Sequence, residues 1–331
     1  MRRNNWRRPL LGLILVLVLA LSGSFTNVAS AHQSSSPAHA KWTIAVIPKA
    51  VGFFYWGTVK AGATDAAKHY GVNLIWKGVA AETDVTGQVN LLTNLINSHI
   101  NGLAFAATDV HALVQIATLA KSKHIPVINI DSGITPQSIP LVATSNVAAA
   151  GKAADYLAKA LGDKGDVALL PFFPTAATSQ QRAQGFTQEL KKYPNVHLVA
   201  TQFDQSDASV ALQKTNDILT SHPNLKGIFA ANEPGAIGAL NALKARHLVG
   251  KVKLVGFDNA PDEVNALKVG QISALVVQSP YNIGYLGLKE IYQLLQGKHI
   301  PSFTDTGNVV ATTANFNNPT IHKFLFPPTI H

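Results

Sequence analysis

Aromatic and hydrogen-bonding side chains follow the ends of several apolar, strand-like runs in this sequence. Four consecutive aromatic residues, Phe53 to Trp56, come shortly after the first run and enter a helix-like segment. Polar residues at or near the ends of later runs are Asp131, Arg182, Asn232, Asp258 and Gln278. Aromatic rings pack against the C–H faces of sugar rings, while planar amide, carboxylate and guanidinium groups pair with neighbouring hydroxyls. This combination of side chains predicts a carbohydrate-binding site.

Strand-like runs alternate with helix-like segments over nearly the whole chain. The first run, Trp42–Ile47, precedes a helix-like segment at about 56–70, and the same alternation returns at Val72–Trp76 and Val85–Ser98. Short strands buried on both faces that alternate with helices predict an α/β protein with parallel sheets. The units are too numerous for one open sheet of ordinary size. We therefore expect two doubly wound, Rossmann-like domains, with a changeover near Val142–Asn146 and function at the carboxyl ends of the strands.

The N-terminal segment has the composition of a secretory signal peptide. Four arginines precede an apolar run at 10–21, and a small-residue cleavage site, Ala29–Ala31, follows it. The run is short for a bilayer crossing, although an uncleaved membrane anchor is the alternative. We predict a signal peptide at residues 1–31, a tether at 32–40, and an exported protein of the periplasm or the extracellular face.

The composition excludes several classes of chemistry. The sequence contains no cysteine, so it can form no disulfide and carry no lipid anchor through a thiol; Ser24 stands where a lipoprotein signal would need the acylated cysteine. The net charge is +9, but the cations are dispersed and four lie in the predicted signal peptide, so we expect no nucleic-acid partner. Scattered histidines and the lack of phosphate-loop or nucleophile motifs predict no metal, no cofactor and no enzymatic activity.

Six short motifs occur in a fixed order along the chain. They are Tyr55–Trp56 with Lys60–Ala63, Gly102–Asp109, Ile125–Asp131, Gln181–Phe186, Phe229–Glu233 and Val255–Asp258. Together they resemble the type I periplasmic binding proteins, in particular the ribose- and rhamnose-binding-like branch that serves sugar ABC transporters. The resemblance covers essentially all of residues 41–326. It implies two lobes, a three-segment hinge and a ligand cleft between the lobes, with residues 41–145 and 279–306 in the N-terminal lobe and 146–278 and 307–331 in the C-terminal lobe.

The resemblance also implies a role for each candidate residue. Tyr55 and Trp56 would wall the sugar ring, and its hydroxyls would be bound by Asp131, Arg182, Asn232, Asp258 and Gln278. The first strand and loop are also similar to the subgroup that binds rhamnose-like sugars and autoinducer-2, in which a lysine contacts the ligand, so Lys49 joins the candidates. Autoinducer-2 binders carry other residues at the positions of Arg182, Asn232 and Asp258, so the residues present in this sequence favour an ordinary monosaccharide. Ser132 stands where ribose binders carry arginine, which argues against ribose.

Structural interpretations compete with these roles at several positions. Tyr55 and Trp56 have the size of core residues, Asp131 and Asp258 have the position of helix caps, and Arg182 has the pattern of a surface cation on a helix. Phe53 and Phe54 are weighed evenly between core and site. Three further polar residues, Asp84, Gln88 and Asp109, are interpreted as structural.

The functional prediction is an exported, monomeric protein that captures a monosaccharide by cleft closure and delivers it to a membrane ABC permease. Two alternatives stay open: a sensor that presents a sugar or an autoinducer-2-type ligand to a receptor, and a carbohydrate-acting enzyme. A LacI-type regulator shares the fold but needs a helix-turn-helix before the first strand. The predicted signal peptide occupies that place in this sequence.

Overall fold

Two six-stranded sheets form the framework of the protein in a computed structural model that describes residues 42–328. The predicted signal peptide at 1–31 and the tether at 32–40 lie outside the described residues. The first sheet contains β1 (Thr43–Ile47), β2 (Asn73–Trp76), β3 (Gly102–Phe105), β4 (Val127–Ile130), β5 (Leu141–Ala143) and β11 (Phe303–Asp305). The second contains β6 (Gly165–Leu170), β7 (Val196–Thr201), β8 (Leu225–Ala230), β9 (Lys253–Phe257), β10 (Ala274–Gln278) and β12 (Asn308–Ala311).

Helices connect the strands and cover the sheets. Those packed with the first sheet are α1 (Phe54–Tyr70), α2 (Val85–Asn97), α3 (Val114–Ser122) and α9 (Pro280–Leu295). Those packed with the second are α4 (Asn146–Ala160), α5 (Ala177–Leu190), α6 (Ala208–Ser221), α7 (Glu233–Ala245), α8 (Pro261–Lys268) and α10 (Pro319–Leu325). Each sheet has a separate apolar core on either face. We call the part built on the first sheet the N-terminal lobe and the part built on the second sheet the C-terminal lobe.

The strand order confirms the prediction of two doubly wound sheets. The first sheet runs β11-β5-β4-β3-β1-β2 with all neighbours parallel. The second runs β12-β10-β9-β8-β6-β7 and is parallel except for the edge strand β12, which is antiparallel to β10. The antiparallel edge was not predicted. Strand β11 ends on the side of the first sheet that faces the C-terminal lobe, and β12 begins there after two intervening residues. Strand β12 therefore runs away from the cleft, whereas β10 runs toward it.

The chain passes between the lobes three times, and hydrogen bonds join the three crossings. The crossings lie at 144–145, at Ser279 and at 306–307. The Thr144 hydroxyl donates to Gln278 Oε1 at 2.9 Å, and the backbone N–H of Thr306 donates to the carbonyl of Ala143 at 3.0 Å. The lobe boundaries taken from the sequence stay a prediction. The assignment of the strands to the two sheets supports them.

Helices α1 and α9 approach so closely that only glycine fits at their contact. A Cβ atom added to Gly62 would lie 1.9 Å from the carbonyl oxygen of Tyr281, and one added to Gly284 would lie 1.9 Å from the carbonyl oxygen of Val59. In the C-terminal lobe, a Cβ on Gly185 of α5 would lie 2.1 Å from a backbone carbonyl of α4. These backbone contacts fix the helices that carry the predicted aromatic residues and Arg182.

The glycine contact predicts a position-specific loss of stability. Gly284→Ala should lower the free energy of unfolding by about 1–3 kcal/mol, because the added methyl group forces the two helices apart. Gly57→Ala is the matched control on α1, since no atom lies within 4 Å of its added Cβ. The control should stabilise the protein by up to about 1 kcal/mol. Urea unfolding of both variants measures this difference, and an equal effect at the two positions would contradict the packing argument.

Candidate functional site

A cavity lies between the lobes where the carboxyl ends of the strands of both sheets meet. The cavity and the open space at its mouth together contain about 320 Å³ that is not filled by protein atoms. Its lining consists of Lys49, Phe53, Tyr55, Trp56, Glu82, Asp131, Phe172, Arg182, Asn232, Glu233, Pro234, Asp258 and Gln278. All eight residues selected from the sequence are among them. Their role in binding a ligand stays a prediction.

A buried ion pair lies on the side of the cavity that the N-terminal lobe provides. Lys49, two residues beyond β1, places its Nζ 3.1 Å from Asp131 Oδ2, and both side chains are almost fully buried. The Tyr55 hydroxyl donates to Asp131 Oδ1 at 2.6 Å. Burial, followed by the neighbouring Asp131 carboxylate, raises the pKa of Tyr55 well above its ordinary value, so the phenol keeps its proton and acts as a donor. Lys49 also donates to Thr178 Oγ1 of the C-terminal lobe at 3.0 Å.

Arg182 is a buried side chain of the cavity, so its interpretation as a surface cation is wrong. Only 3% of the residue is exposed. Its Nε donates to Asn146 Oδ1 at 2.8 Å, its Nη1 donates to the Ala231 carbonyl at 2.7 Å, and its Cζ lies 3.7 Å from the centre of the Phe257 ring. These contacts fix the plane of the guanidinium group. Among the described residues none accepts a hydrogen bond from Nη2, which leaves that nitrogen for a ligand.

Asp258 belongs to the cavity and does not cap α8, the helix that follows it. The N-cap of α8 is Ala260, whose backbone N–H donates to Glu263. Asp258 accepts from Gln278 Nε2 at 2.6 Å and from the backbone N–H of Glu233 at 3.2 Å. Burial raises its pKa, and the nearby Arg182 offsets part of that rise.

The two aspartates that directly follow strands share an unusual backbone. Asp131 has φ +59° and Asp258 has φ +92°, a region that residues other than glycine seldom adopt. Such conformations are concentrated at functional sites, where the surrounding structure stabilises them. The backbone at both strand ends therefore supports the selection of these aspartates as site residues.

Asn232 combines a structural role with a place in the cavity wall. It is the N-cap of α7, where its Oδ1 accepts from the backbone N–H of Gly235 at 3.0 Å. Its Nδ2 donates to Ser206 Oγ at 3.2 Å. The cap fixes the orientation of the amide at the cavity surface.

The aromatic wall consists of residues that are also core residues. Tyr55 and Trp56 pack edge to face with ring centres 4.9 Å apart, and both are buried within the core of the N-terminal lobe. Both residues therefore belong to the core and also line the cavity, and their contact with a ligand stays a prediction. The Trp56 indole N–H donates to Glu82 Oε1 at 3.0 Å. Phe172 adds a third ring from the C-terminal lobe, 5.2 Å from Lys49 Nζ.

Sequence reasoning missed four of the residues that line the cavity and left a fifth undecided. The missed residues are Glu82, Phe172, Glu233 and Pro234, and the undecided one is Phe53. Phe172 follows β6 by two residues, as Lys49 follows β1, so the strand-end criterion would have found it. Glu82 lies in the loop between β2 and α2, and no local pattern separates it from a solvated acid.

The polar residues interpreted as structural do not line this cavity. Asp84 caps α2 by accepting from the backbone N–H of Gly87 at 2.9 Å. Gln88 is fully buried and donates to the carbonyl of Pro48 at 3.0 Å. Asp109 accepts from two backbone N–H groups just before α3. In the part of the chain that the structure describes, no group of three or more histidine or acidic side chains could hold a metal ion.

Comparison with known proteins identifies the family. The family model described as a periplasmic binding protein domain matches residues 44–299. This chain belongs to the periplasmic binding protein family. It is 32% identical to the D-allose-binding periplasmic protein of Escherichia coli over 81% of this chain and 89% of that protein.

Solved structures of solute-binding proteins share the whole fold of this periplasmic binding protein. An ABC transporter solute-binding protein from Agrobacterium vitis with bound D-fucose has a TM-score of 0.83 at 34% identity, covering 86% of this chain and 100% of that chain. A carbohydrate transporter solute-binding protein from Agrobacterium radiobacter in complex with D-arabinose has a TM-score of 0.84 at 35% identity, covering 87% and 99%.

These relatives confirm the predicted class. The chain is a periplasmic binding protein of the type that serves sugar ABC transporters, and it is not an enzyme. The family supports the periplasm as its compartment. Within residues 42–328, no helix combines the length and the apolar character needed to cross a membrane.

The buried ion pair predicts coupling between its partners. Lys49→Met should lower the free energy of unfolding by about 3–5 kcal/mol, because it leaves the Asp131 carboxylate buried without a cation. Lys49→Met with Asp131→Asn should be less destabilising than Lys49→Met alone, and a double-mutant cycle by urea unfolding measures the difference. Lys159→Met is the control, because Lys159 forms an exposed ion pair with Asp155 that contributes little. Additive effects of the two buried substitutions would contradict the coupling.

Proposed function

We propose that the protein captures one neutral monosaccharide, a pentose, hexose or deoxyhexose, in the cavity between the lobes and presents it to a membrane ABC permease. The observation that carries this proposal is the combination of aromatic rings with planar polar side chains around one small cavity. Tyr55, Trp56 and Phe172 supply apolar faces for the C–H patches of a sugar ring.

The charge balance of the cavity favours an uncharged ligand. The cations Lys49 and Arg182 lie beside the carboxylates of Asp131 and Asp258. The two other carboxylates of the lining, Glu82 and Glu233, are held by uncharged hydrogen-bond donors, so each charged group already has partners. A charged ligand would leave one of them unpaired in a buried site, which is costly. A sugar offers hydroxyls that both donate and accept, so it can bridge cations and carboxylates without adding charge.

The relatives guide the choice of sugars to test. The three described above are named or solved with D-allose, D-fucose and D-arabinose, and several further relatives are named as ribose import binding proteins. In this chain Ser132 is fully buried and does not line the cavity, so it supplies none of the hydrogen bonds that an arginine would offer to ribose. D-ribose is therefore the comparison sugar.

Closure of the cleft follows from the position of the cavity. Lys49, Tyr55 and Asp131 belong to the N-terminal lobe, whereas Arg182 and Asn232 belong to the C-terminal lobe. One sugar can contact both groups only when the lobes meet, so it stabilises the closed form by its higher affinity for that form. A permease can then recognise the loaded protein by its shape.

Substitution of the aromatic wall tests the ligand class. Isothermal calorimetry with D-allose, D-fucose, D-arabinose and D-ribose should identify a bound monosaccharide, and Trp56→Ala should weaken its binding by about 1–3 kcal/mol through loss of a buried ring. Trp76→Ala is the control, because Trp76 lies on β2 and does not line the cavity. Unchanged affinity in Trp56→Ala would remove this residue from the site, and release of a chemically modified sugar would contradict a pure binding role.

We also propose that the chain is exported with removal of residues 1–31 and without a lipid anchor. The basic head, the short apolar run, the small-residue site and the lack of cysteine support this route. Mass spectrometry of the protein from its native host should show an N-terminus at His32. A mass that includes residues 1–31 would contradict cleavage and favour a membrane-tethered form.

A further inference from the structure

Two carboxylates reach across the cleft in opposite directions. Glu82, in the loop between β2 and α2 of the N-terminal lobe, accepts a hydrogen bond from the Ser206 hydroxyl of the C-terminal lobe at 2.8 Å. Glu233, the first residue of α7 in the C-terminal lobe, accepts from the backbone N–H groups of Phe54 at 3.2 Å and Tyr55 at 3.0 Å in the N-terminal lobe. The two contacts are reciprocal, since each lobe provides one acceptor.

Glu233 supplies a helix cap that α1 cannot provide for itself. The N-cap residue of α1 is Phe53, which makes no side-chain cap, and the first turn of α1 contains no acid. The first N–H groups of a helix need partners, and its N-terminus attracts negative charge. The carboxylate of the opposite lobe meets both needs at the turn that carries the aromatic wall.

The same two carboxylates separate the cavity from the exterior. Glu82 and Glu233 line the cavity, and they also line a groove on its outer side together with Ser206 and Pro234. Each glutamate is only 8% exposed. Glu82 is fixed on its own side by the indole N–H of Trp56. The contacts that join the lobes are therefore attached directly to the two principal aromatic residues of the wall.

We propose that Glu82 and Glu233 form an acidic clasp that holds the lobes together without a ligand, and that proton binding at Glu233 shifts the empty protein toward its closed form. Both carboxylates line the cavity, and they also hold Tyr55 and Trp56 of its aromatic wall in place. The inference rests on the proposed opening of the cleft and is independent of which sugar binds.

The surroundings of Glu233 give the direction of the pH effect. Burial raises its pKa from 4.5 to about 7; the carboxylates of Asp258 and Glu82 add to the rise, and the two backbone donors oppose it. Glu263 of α8 is a further acid close enough to interact with Glu233. The cations of the cavity, Lys49 and Arg182, lie beside Asp131 and Asp258 instead.

An open cleft would return water to Glu233 and bring its pKa back toward the ordinary value. A group with a higher pKa in the closed form binds more protons there, so closure is favoured as the pH falls. Between about pH 8.5 and pH 5.5 the ratio of closed to open empty protein should rise roughly tenfold or more.

Distances between spin labels on the two lobes measure this ratio in sugar-free protein. Lys68→Cys on α1 and Lys244→Cys on α7 place the labels at exposed positions, and the native sequence offers no competing cysteine. Double electron–electron resonance should show a growing short-distance population as the pH falls. The separation of these two positions in the present structure, in which the lobes are in contact, supplies the closed reference distance.

Variants assign the effect to the clasp. Glu233→Gln keeps the shape but cannot titrate, so the pH dependence of its distance distribution should weaken. Asp204, whose pKa burial also raises and which interacts with Glu82 of the opposite lobe, supplies the remainder. Asp262→Asn removes an exposed carboxylate of α8 and should keep the pH dependence. Ser206→Ala removes the donor to Glu82 and should lower the closed-to-open ratio about tenfold at every pH, as expected for one hydrogen bond to a charged group. Circular dichroism checks that each variant is folded.

Several results would overturn the inference. They are an empty protein that is fully open at every pH, a closed population that grows as the pH rises, an unchanged pH dependence in Glu233→Gln, or an unchanged ratio in Ser206→Ala. All these measurements are made without sugar. Failure of the clasp is therefore distinct from failure of sugar binding, which calorimetry tests separately.

Discussion

Burial of charge between two lobes requires a partner for every charged group, and the cavity is arranged around that requirement. Lys49 is paired with Asp131 on one side. On the other side Arg182 is held by an amide oxygen and a backbone carbonyl. An unpaired charge at such a depth would be strongly destabilising, so these contacts exist before any ligand arrives. The remaining hydrogen-bonding capacity is that of groups that already have partners, which is the environment that a polyhydroxylated, uncharged molecule satisfies best.

The binding groups and the connections between the lobes belong to one network. Gln278 ends β10, donates to Asp258 in the cavity, and accepts from Thr144 in the first crossing. Thr144 lies in turn 3.5 Å, oxygen to oxygen, from Thr306 of the third crossing. A shift of Asp258 toward a ligand therefore alters the hydrogen bonds that connect the crossings. This continuity gives a physical route by which occupancy of the site and the angle between the lobes depend on each other.

The sequence was sufficient for features that depend on local pattern. Alternating strands and helices specify the parallel sheets, and because strand ends converge within each sheet, Asn232 and Asp258 could be placed at one edge of the second sheet. The choice of Lys49, and a cleft shared by both lobes, came from the resemblance to the family. Features that depend on the relative placement of the two lobes could not be predicted. Glu82 and Glu233 acquire their partners only when the lobes meet, and the antiparallel direction of β12 follows from where β11 ends. Helix-cap patterns were also ambiguous at Asp258, because Ala260 and Glu263 provide the cap of α8 instead.

The contact between α1 and α9 has a mechanical consequence. Helix α9 begins at Pro280, directly after the second crossing at Ser279, and α1 begins at the aromatic wall. Because Gly62 and Gly284 bring the two backbones together with no layer of side chains between them, the pair has little room to slide or tilt internally. We therefore expect the two helices to move together as one rigid body. A rotation of the chain at the second crossing, Ser279, would then displace the aromatic wall at the start of α1 by the same angle.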